Sequence, residues 1–272
     1  MNKPTGELRL VFRRKKDGDT LLAEQYYKLP LQIMKPHYQE GDGTPFIYLL
    51  NPGGGVLQHD RLMTEIILED ESRAFVTTQS NTKFYKMDEG HAEVVNRVTV
   101  GSGAVLEYLP EHNVPFAMSR ACQENDFFLQ KDSTLIASDM VTAGRTARGE
   151  VFQYDLYSSK TRIYVDGRLK LYDRSIMDPK AMDMTGLGLM EGYLSSGTIY
   201  VYSEKIHDRL PEQLNKMTAE GVSLAAGKID DTLMTVRFLG SSMVHMKEAA
   251  DRVWGEIRRC VLGKEPVRVR KY

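Results

Sequence analysis

The sequence predicts a mainly β protein that ends in two helices. Three observations support this fold class: side chains alternate with period two over much of residues 1–202, turn signals separate those segments, and apolar residues recur at helical spacing after residue 208. Strands come first and helices last, as in a β domain with C-terminal helices. Because no linker, low-complexity run or clean repeat interrupts the chain, we expect a single domain over residues 1–272.

The alternation predicts individual strands. It is clearest in residues 62–69, 94–100 and 198–202, where every second side chain can face one side of a sheet. Val, Ile and Tyr are frequent there, as strands prefer. Period-two spacing does not indicate how the strands are arranged relative to one another.

Turn signals separate the predicted strands. Asp166-Gly167 predicts a β-hairpin over residues 165–168, because both residue types tolerate the positive φ of a type I′ turn. Further signals are Asp17-Gly18, Gly41-Asp42-Gly43 and Gly101-Ser102-Gly103.

Two helices are predicted near the C-terminus. The first begins near Asp208, carries Pro211 in its first turn and ends at Gly221. The second is capped by Ser241 or Ser242 and stops at Gly263. Its apolar stripe at three- and four-residue steps indicates packing on the core, with a partner groove as the alternative.

Composition excludes several classes of function. The formal net charge of −1 gives no general attraction to nucleic acid or to anionic membranes. No apolar run approaches 18 residues and no signal peptide is visible, so we expect a soluble protein. Cys122 and Cys260 are too far apart in sequence to indicate a metal knuckle or a disulfide framework. A cytoplasmic location is the expectation.

Common cofactor and catalytic motifs fail. Gly53-Gly54-Gly55 is not a dinucleotide fingerprint, because Gln58 occupies the sixth position and a strand follows. It is better interpreted as a turn between two strands. Gly227-Lys228 is not a P-loop, because the spacing from Gly221 is wrong and Ile229 replaces the hydroxyl residue.

The histidines do not form a readable metal site. All six are scattered, and none has a partner at i+4. His59-Asp60 and Glu111-His112 are adjacent pairs whose side chains would point to opposite faces of a strand. Each residue could add one ligand to a labile oxygen-rich site, although a surface or hydrogen-bonded role is simpler. From the residues alone, the chain is a mainly β protein without a recognisable active site.

Four blocks in order resemble the UreD/UreH family of urease accessory proteins. Residues 51–62 (NPGGGVLQHDRL) and 77–85 (TTQSNTKFY) are similar to its Asn-Pro-x-Gly-Gly and Thr-Thr-Gln signatures. Residues 106–111 (LEYLPE) and 144–152 (GRTARGEVF) resemble two further blocks. One departure is His59, which stands where the family commonly has Gly. If that position needs a positive φ, the local turn must differ.

The resemblance implies a fold and a function. Family members have strands in a layered or helical, β-helix-like arrangement and are not enzymes. The resemblance implies binding to apo-urease together with UreF and UreG, a hetero-oligomer with UreF, and no nucleic acid or membrane partner. No cofactor is expected to bind stably, and Ni²⁺ is expected in transit through an internal polar path.

Such a path needs oxygen or imidazole ligands that lower the desolvation cost of Ni²⁺ without holding it. Hydroxyl and carboxylate residues within or near the resembling blocks are the candidates. They are Asp60, Thr77, Thr78, Ser80, Glu107, Glu111, Asp139 and Glu150, with His59 and His112 as further possibilities. Arg145 and Arg148 are expected to hold their block in shape through an ion pair or a capped turn, because cations repel nickel.

Two other classes of function stay open. The first is a hydrolase on a β scaffold, in which Glu107, Glu111 or Asp139 supply two carboxylates facing across a cleft. The second is a β interaction module without a metal path, which would have a solid apolar interior.

Overall fold

The computed structural model describes residues 3–269, which form eighteen strands and two α-helices. In chain order the strands are β1 (Gly6–Arg14), β2 (Thr20–Lys28), β3 (Gln32–Ile33), β4 (His37–Tyr38), β5 (Pro45–Leu50), β6 (Arg61–Leu68), β7 (Arg73–Thr78), β8 (Thr82–Phe84), β9 (Ala92–Val100), β10 (Val105–Tyr108), β11 (Asn113–Pro115), β12 (Arg120–Leu129), β13 (Thr134–Thr142), β14 (Leu156–Val165), β15 (Arg168–Met177), β16 (Ser195–Tyr202), β17 (Val222–Lys228) and β18 (Leu233–Gly240). The helices are α1 (Arg209–Asn215) and α2 (Met243–Ile257), with a 3₁₀ turn at Thr146–Arg148 and a π-helical turn at Arg258–Leu262.

The strands form two sheets. The first sheet has the order β15-β14-β12-β9-β6-β1-β2. The second has the order β17-β18-β16-β13-β10-β7-β5-β3, with β4, β8 and β11 attached to it.

Between β5 and β14 the longer strands alternate between the two sheets. Strands β5, β7, β10 and β13 are parallel neighbours in the second sheet, while β6, β9, β12 and β14 are parallel neighbours in the first. Each turn of the chain, from the second sheet to the first and back, therefore adds one strand to each sheet. The result is a solenoid-like sandwich. This confirms the prediction of a mainly β fold in a layered or helical arrangement, with two helices near the C-terminus.

The local predictions for strands and turns are confirmed. Strand β6 buries alternate residues from Leu62 to Leu68, as its period-two pattern predicts. Asp166 (φ 47°) and Gly167 (φ 76°) form the turn of the β14–β15 hairpin. The Gly53-Gly54-Gly55 segment is a turn between β5 and β6.

The helix predictions are confirmed at three of their four ends. The side chain of Ser242 caps α2 by accepting from the backbone N–H of His245, and Gly263 (φ 65°) ends the π-helical turn that follows. Helix α1 ends at Asn215, earlier than the predicted end at Gly221. The Asn215 amide instead hydrogen-bonds both backbone groups of Ala226, which ties the end of the helix to β17.

The core has three parts. One apolar cluster fills part of the space between the sheets, and a second lies between the second sheet and helices α1 and α2. A third cluster packs under the loops at the other end of the sandwich. Among residues 3–269, no helix is both long and apolar enough to cross a membrane.

Candidate functional site

A layer of polar side chains crosses the sandwich between the first and third apolar clusters. Thr64, Asn96, Asn125 and Thr161 lie in register on four parallel strands of the first sheet, and all are buried. The Asn96 amide donates to Asn125 Oδ1 (2.9 Å), whose own amide donates to Thr161 Oγ1 (3.3 Å). Buried polar groups need hydrogen-bond partners. Here side chains on neighbouring strands provide them, and we call these four residues the ladder.

A second cluster of polar side chains forms hydrogen bonds between the two sheets. Asn113 Nδ2 donates to Gln123 Oε1 (3.0 Å), and Gln123 Nε2 donates to Asp139 Oδ1 (3.1 Å). The Ser159 hydroxyl donates to the other Asp139 oxygen. Burial raises the pKa of Asp139, and the hydrogen bonds from Ser159 and Gln123 offset part of that rise. We call these four residues the polar bridge.

Cavity 1 lies on one side of the polar bridge and has a volume of about 210 Å³. Polar residues of the two sheets form part of its wall, and the β7–β8 segment and the segment before β11 add hydroxyl, amide and carboxylate groups. The rest of the lining is apolar and includes Leu8, Leu31, Leu49, Leu62 and Val94. The polar lining residues are Asn51, Thr64, Thr78, Gln79, Ser80, Asn81, Thr82, Asn96, Glu111, Asn113, Gln123 and Asn125.

Cavity 2 lies on the other side and has a volume of about 530 Å³. Its polar lining includes Asp139, Tyr157, Ser159, Thr161, Asp173, Thr198, Tyr200 and Arg237. Hydrogen bonds link the linings of the two cavities: Asn113 to the Tyr157 hydroxyl (2.9 Å), Gln123 to Asp139, and Asn125 to Thr161. The wall between the cavities is therefore polar and hydrogen-bonded.

The structure brings several of the predicted site residues to these cavities. Thr78, Ser80 and Glu111 line cavity 1, and Asp139 lines cavity 2. Thr78 Oγ1 accepts from the backbone N–H of Glu111 (2.9 Å). The His112 ring lies beside Asn81 of cavity 1, with Nε2 3.4 Å from the Asn81 amide nitrogen.

The other predicted residues lie outside both cavities. Asp60 accepts from Thr5 Oγ1 (3.0 Å) and from the backbone N–H of Leu57 (2.8 Å), so it holds the turn before β6. His59 is exposed and takes φ 63° in this turn. It therefore adopts the left-handed conformation that glycine usually provides.

Thr77 and Glu107 face away from the space between the sheets. Thr77 donates to the Leu109 carbonyl oxygen on the side that α2 covers. Glu107 accepts from Trp254 Nε1 (2.6 Å) and pairs with Arg258 (3.0 Å) beneath the same helix. Nickel contact at Asp60, Thr77 and Glu107 stays a prediction, and each of the three already has a structural partner.

Glu150 pairs with Arg145, whose Nε donates to Glu150 Oε2 (2.7 Å). The hydrogen bond from Arg145 lowers the pKa of Glu150. The Arg145 guanidinium also lies 4.1 Å from the centre of the Phe116 ring. This ion pair agrees with the role predicted for Arg145, and nickel contact at Glu150 stays a prediction.

The three acids of the hydrolase alternative do not share one cavity. Glu107 lies under α2, Glu111 lines cavity 1 and Asp139 lines cavity 2. The interior also contains a polar layer, which a solid apolar interaction module would lack.

The acidic residues that line the cavities are spread out. Within residues 3–269, no group of three or more His, Cys, Asp and Glu side chains is placed to hold a metal ion. Glu111 lines cavity 1, and Asp139, Asp173 and Glu191 line cavity 2, among hydroxyl and amide oxygens that are hard ligands.

Sequence reasoning missed most of the polar layer. Asn96 and Thr64 stand at positions where the alternation of β9 and β6 places apolar residues, and the same applies to Asn125 in β12. A polar residue on the buried face of a strand was the available signal. Asn113 was not detectable in this way, because β11 has only three residues.

Comparison with known proteins identifies relatives of this chain. The family described as UreD urease accessory protein matches residues 4–271. The Urease accessory protein UreD of Bacillus sp. (strain TB-90) is 31% identical over 99% of this chain and 100% of its own length. The protein of the same name from Cenarchaeum symbiosum (strain A) is 35% identical over 69% of this chain and 67% of its own length. Urease accessory protein UreD 2 of Brucella suis biovar 1 (strain 1330) is 32% identical over 96% and 91%.

The fold and site define a class of β-rich protein in which a polar layer between two sheets separates two cavities. Within that class, the chain belongs to the UreD urease accessory protein family.

Proposed function

We propose that this protein is a cytoplasmic chaperone of urease maturation that binds apo-urease together with UreF and UreG. In this proposal it forms a hetero-oligomer with UreF and is not an enzyme. Ni²⁺ passes through it without binding stably, from one cavity across the polar bridge to the other.

The observation that supports the path is the hydrogen-bonded wall between the cavities. Asn113, Gln123 and Asp139 connect the lining of cavity 1 to that of cavity 2 in a sandwich whose two ends are apolar. Removing a divalent ion from water costs many kcal/mol, and closely spaced oxygen ligands repay part of that cost. A few carboxylates among neutral oxygens, with no group of three or more placed to hold a metal ion within residues 3–269, bind weakly enough for the ion to leave.

The test is nickel loading in the complete system. We would co-express the chain with apo-urease, UreF and UreG, and then measure urease activity, urease nickel content and co-purification of the complex. Asp139→Asn keeps the shape of the side chain but removes its charge. We expect it to assemble normally and to leave urease poor in nickel.

Asp231→Asn is the matched control, because Asp231 is fully exposed and lines neither cavity. It should load urease like the wild type. Asp60→Ala and Glu150→Ala complete the set: nickel-poor urease with these two variants alone would place the path outside the cavities. Wild-type protein that neither binds apo-urease nor changes its nickel content would refute the proposal.

A further inference from the structure

Strand β2 is an edge of the first sheet that is covered at one end only. Among residues 3–269, β1 is the only strand that pairs with it. At the beginning of β2 the outward backbone groups have partners. The Thr20 N–H donates to the Gly43 carbonyl oxygen (3.0 Å), and the Thr20 carbonyl oxygen accepts from the Tyr38 hydroxyl (3.0 Å). By contrast, residues 24–28 of the same strand are all exposed.

Both faces of β2 are open to solvent in residues 24–28. Tyr26 is 52% exposed, and Tyr27, which points to the opposite face, is 49% exposed. Leu29, just beyond the end of the strand, is 61% exposed. Because a strand of a sandwich usually buries one of its faces, this half of β2 extends beyond the packed part of the molecule. An exposed edge with adjacent aromatic side chains is a surface on which another strand can pair.

The register with β1 shows which backbone groups of β2 point outward. The Glu69 N–H donates to the Phe12 carbonyl oxygen, so the even-numbered residues of β1 direct their backbone groups toward β6. The odd-numbered residues then face β2, and one of them lies opposite Tyr26. Since these groups alternate along a strand, those of Gln25 and Tyr27 point away from β1 and can bond to a further strand.

This half of β2 is complementary to itself. In an antiparallel pair around a two-fold axis at Tyr26, Gln25 of each copy would lie opposite Tyr27 of the other. These residues would exchange about four main-chain hydrogen bonds. Glu24 would lie opposite Lys28 of the second copy, so that opposite charges meet on both sides of the axis.

The neighbouring symmetric registers lack this match of charges. With the axis at Gln25, Glu24 is opposite Tyr26, and with the axis at Tyr27 it is opposite Pro30. The charges therefore favour the axis at Tyr26, where aromatic rings of the two copies also meet.

We infer that residues 24–28 of β2 are a docking site for a second copy of this chain, which pairs as an antiparallel strand across a two-fold axis at Tyr26. Arg9 Nη1 contacts Glu24 Oε2 (2.9 Å) and holds this carboxylate on the outer face. Lys28 Nζ donates to the Pro4 carbonyl oxygen (2.6 Å), a neutral acceptor that it exchanges for the carboxylate of the second copy. The contact is small, so the dimer is weak and depends on protein concentration. This docking goes beyond the proposed function and does not depend on nickel.

The first test is disulfide trapping in the full chain. Facing residues of a non-hydrogen-bonded pair have Cα atoms about 4.5 Å apart, which a disulfide can span. Tyr26→Cys should therefore give a disulfide-linked dimer under mild oxidation. Tyr27→Cys is about as exposed, but it faces Gln25 of the second copy and should give little dimer.

Tyr172→Cys is the matched control for trapping. Tyr172 is 54% exposed and lies on β15, the opposite edge strand of the same sheet. The wild type, which keeps Cys122 and Cys260, sets the background of cross-linking. If Tyr26→Cys forms no more dimer than Tyr172→Cys, the inference is wrong.

Sedimentation of the reduced chain at several concentrations tests the charges. Lys28→Glu places like charges opposite each other twice in the dimer, so the dissociation constant should rise about tenfold or more. Adding Glu24→Lys reverses the pair and should restore the affinity to within about threefold. Lys16→Glu makes the same charge change in the β1–β2 turn, near the covered end, and should have no effect. A double variant as weak as Lys28→Glu would overturn the register.

Gln25→Pro separates strand pairing from misfolding. Proline removes an outward N–H that β1 does not use, so the variant should stay folded in thermal unfolding and lose the dimer. A dimer of unchanged affinity would contradict pairing through this edge. If no variant or wild-type protein self-associates, but Gln25→Pro reduces co-purification with the other proteins of the urease system, the edge holds a strand of one of them and self-pairing is wrong.

Discussion

Arg258 is a fully buried cation that fixes the C-terminal helix to the second sheet. Its guanidinium pairs with Glu107 (3.0 Å) and with Glu40 (2.7 Å), and it lies 5.2 Å from the Trp254 ring centre. Each of its partners comes from a different part of the chain. Burying the group is costly in itself, so the arrangement specifies one docking geometry for the helix rather than adding much net stability.

Arg258→Met should destabilise the protein strongly, because it leaves Glu107 buried without its cation. Breaking a buried ion pair in this way costs about 3–5 kcal/mol. Arg259→Met is the matched control at the next position: Arg259 is half exposed and pairs with Glu256 and Glu265, so its loss should cost about 1 kcal/mol or less. Urea unfolding of both variants measures the difference, and equal losses would contradict this account.

At the scale of single residues, the sequence singled out Glu107 and Asp139 as candidate acids but did not predict what they contact. Glu107 and Asp139 are both buried or half-buried acids on strands of the second sheet, and sequence reasoning assigned them the same role. They face opposite sides of that sheet, one toward α2 and the other toward cavity 2. What each acid contacts depends on which elements cover its side of the sheet, and the sequence around each residue does not contain that information.

Among the elements, β15 is attached to the second sheet by ion pairs at its edge. Lys170 reaches Asp230 in the β17–β18 turn (2.7 Å), and Asp173 meets Arg237 of β18 (2.8 Å). Partial burial of Asp230 would raise its pKa, but the hydrogen bonds from Lys170 and Thr232 outweigh burial and lower the pKa to about 2.

The attachment at Asp230 should weaken in acid. Because the pKa of Asp230 is lower in the folded state than its ordinary value of 3.8, its contribution to stability is present above that value and is lost as the pH falls toward 2. Lys170→Met should raise the pKa of Asp230. Carboxyl ¹³C NMR titration measures this shift.

Asp42 is the internal control for that titration. Its pKa is also about 2, because hydrogen bonds from Lys264 and Thr44 outweigh its partial burial. It should not change in Lys170→Met. An unchanged midpoint for Asp230 would show that Lys170 does not hold it.

Strand positions could be predicted from the sequence, whereas strand neighbours could not. The alternation that marks β6 and β9 is a local property of each segment. Pairing is not local: Asn96 and Asn125 are 29 residues apart in sequence, and Asn125 and Thr161 are 36 apart. Successive circuits differ in length and side chains, so no repeat is visible, and the coiled arrangement came only from the family resemblance.

For the whole molecule, the polar layer contributes less to stability than an apolar core of the same size would. A sandwich of this size could fill its centre with aliphatic side chains, as it does at both ends. A fully satisfied polar layer adds little net stability over apolar packing. Its presence between two cavities therefore indicates that the centre is shaped for something other than holding the sheets together.

This trade-off predicts the behaviour of the Asn96–Asn125 pair. Asn125→Leu alone leaves the buried Asn96 amide without its acceptor, which should cost about 1–3 kcal/mol. Adding Asn96→Leu removes the orphaned group, so the double variant should be more stable than the sum of the single losses. Urea unfolding of the wild type, both single variants and the double variant gives this coupling.

In the urease system the double variant should assemble but leave urease poor in nickel, because two of the polar residues beside the polar bridge are then apolar. Additive losses would mean that the pair is not a unit, and normal nickel loading would mean that the ladder is not part of the path.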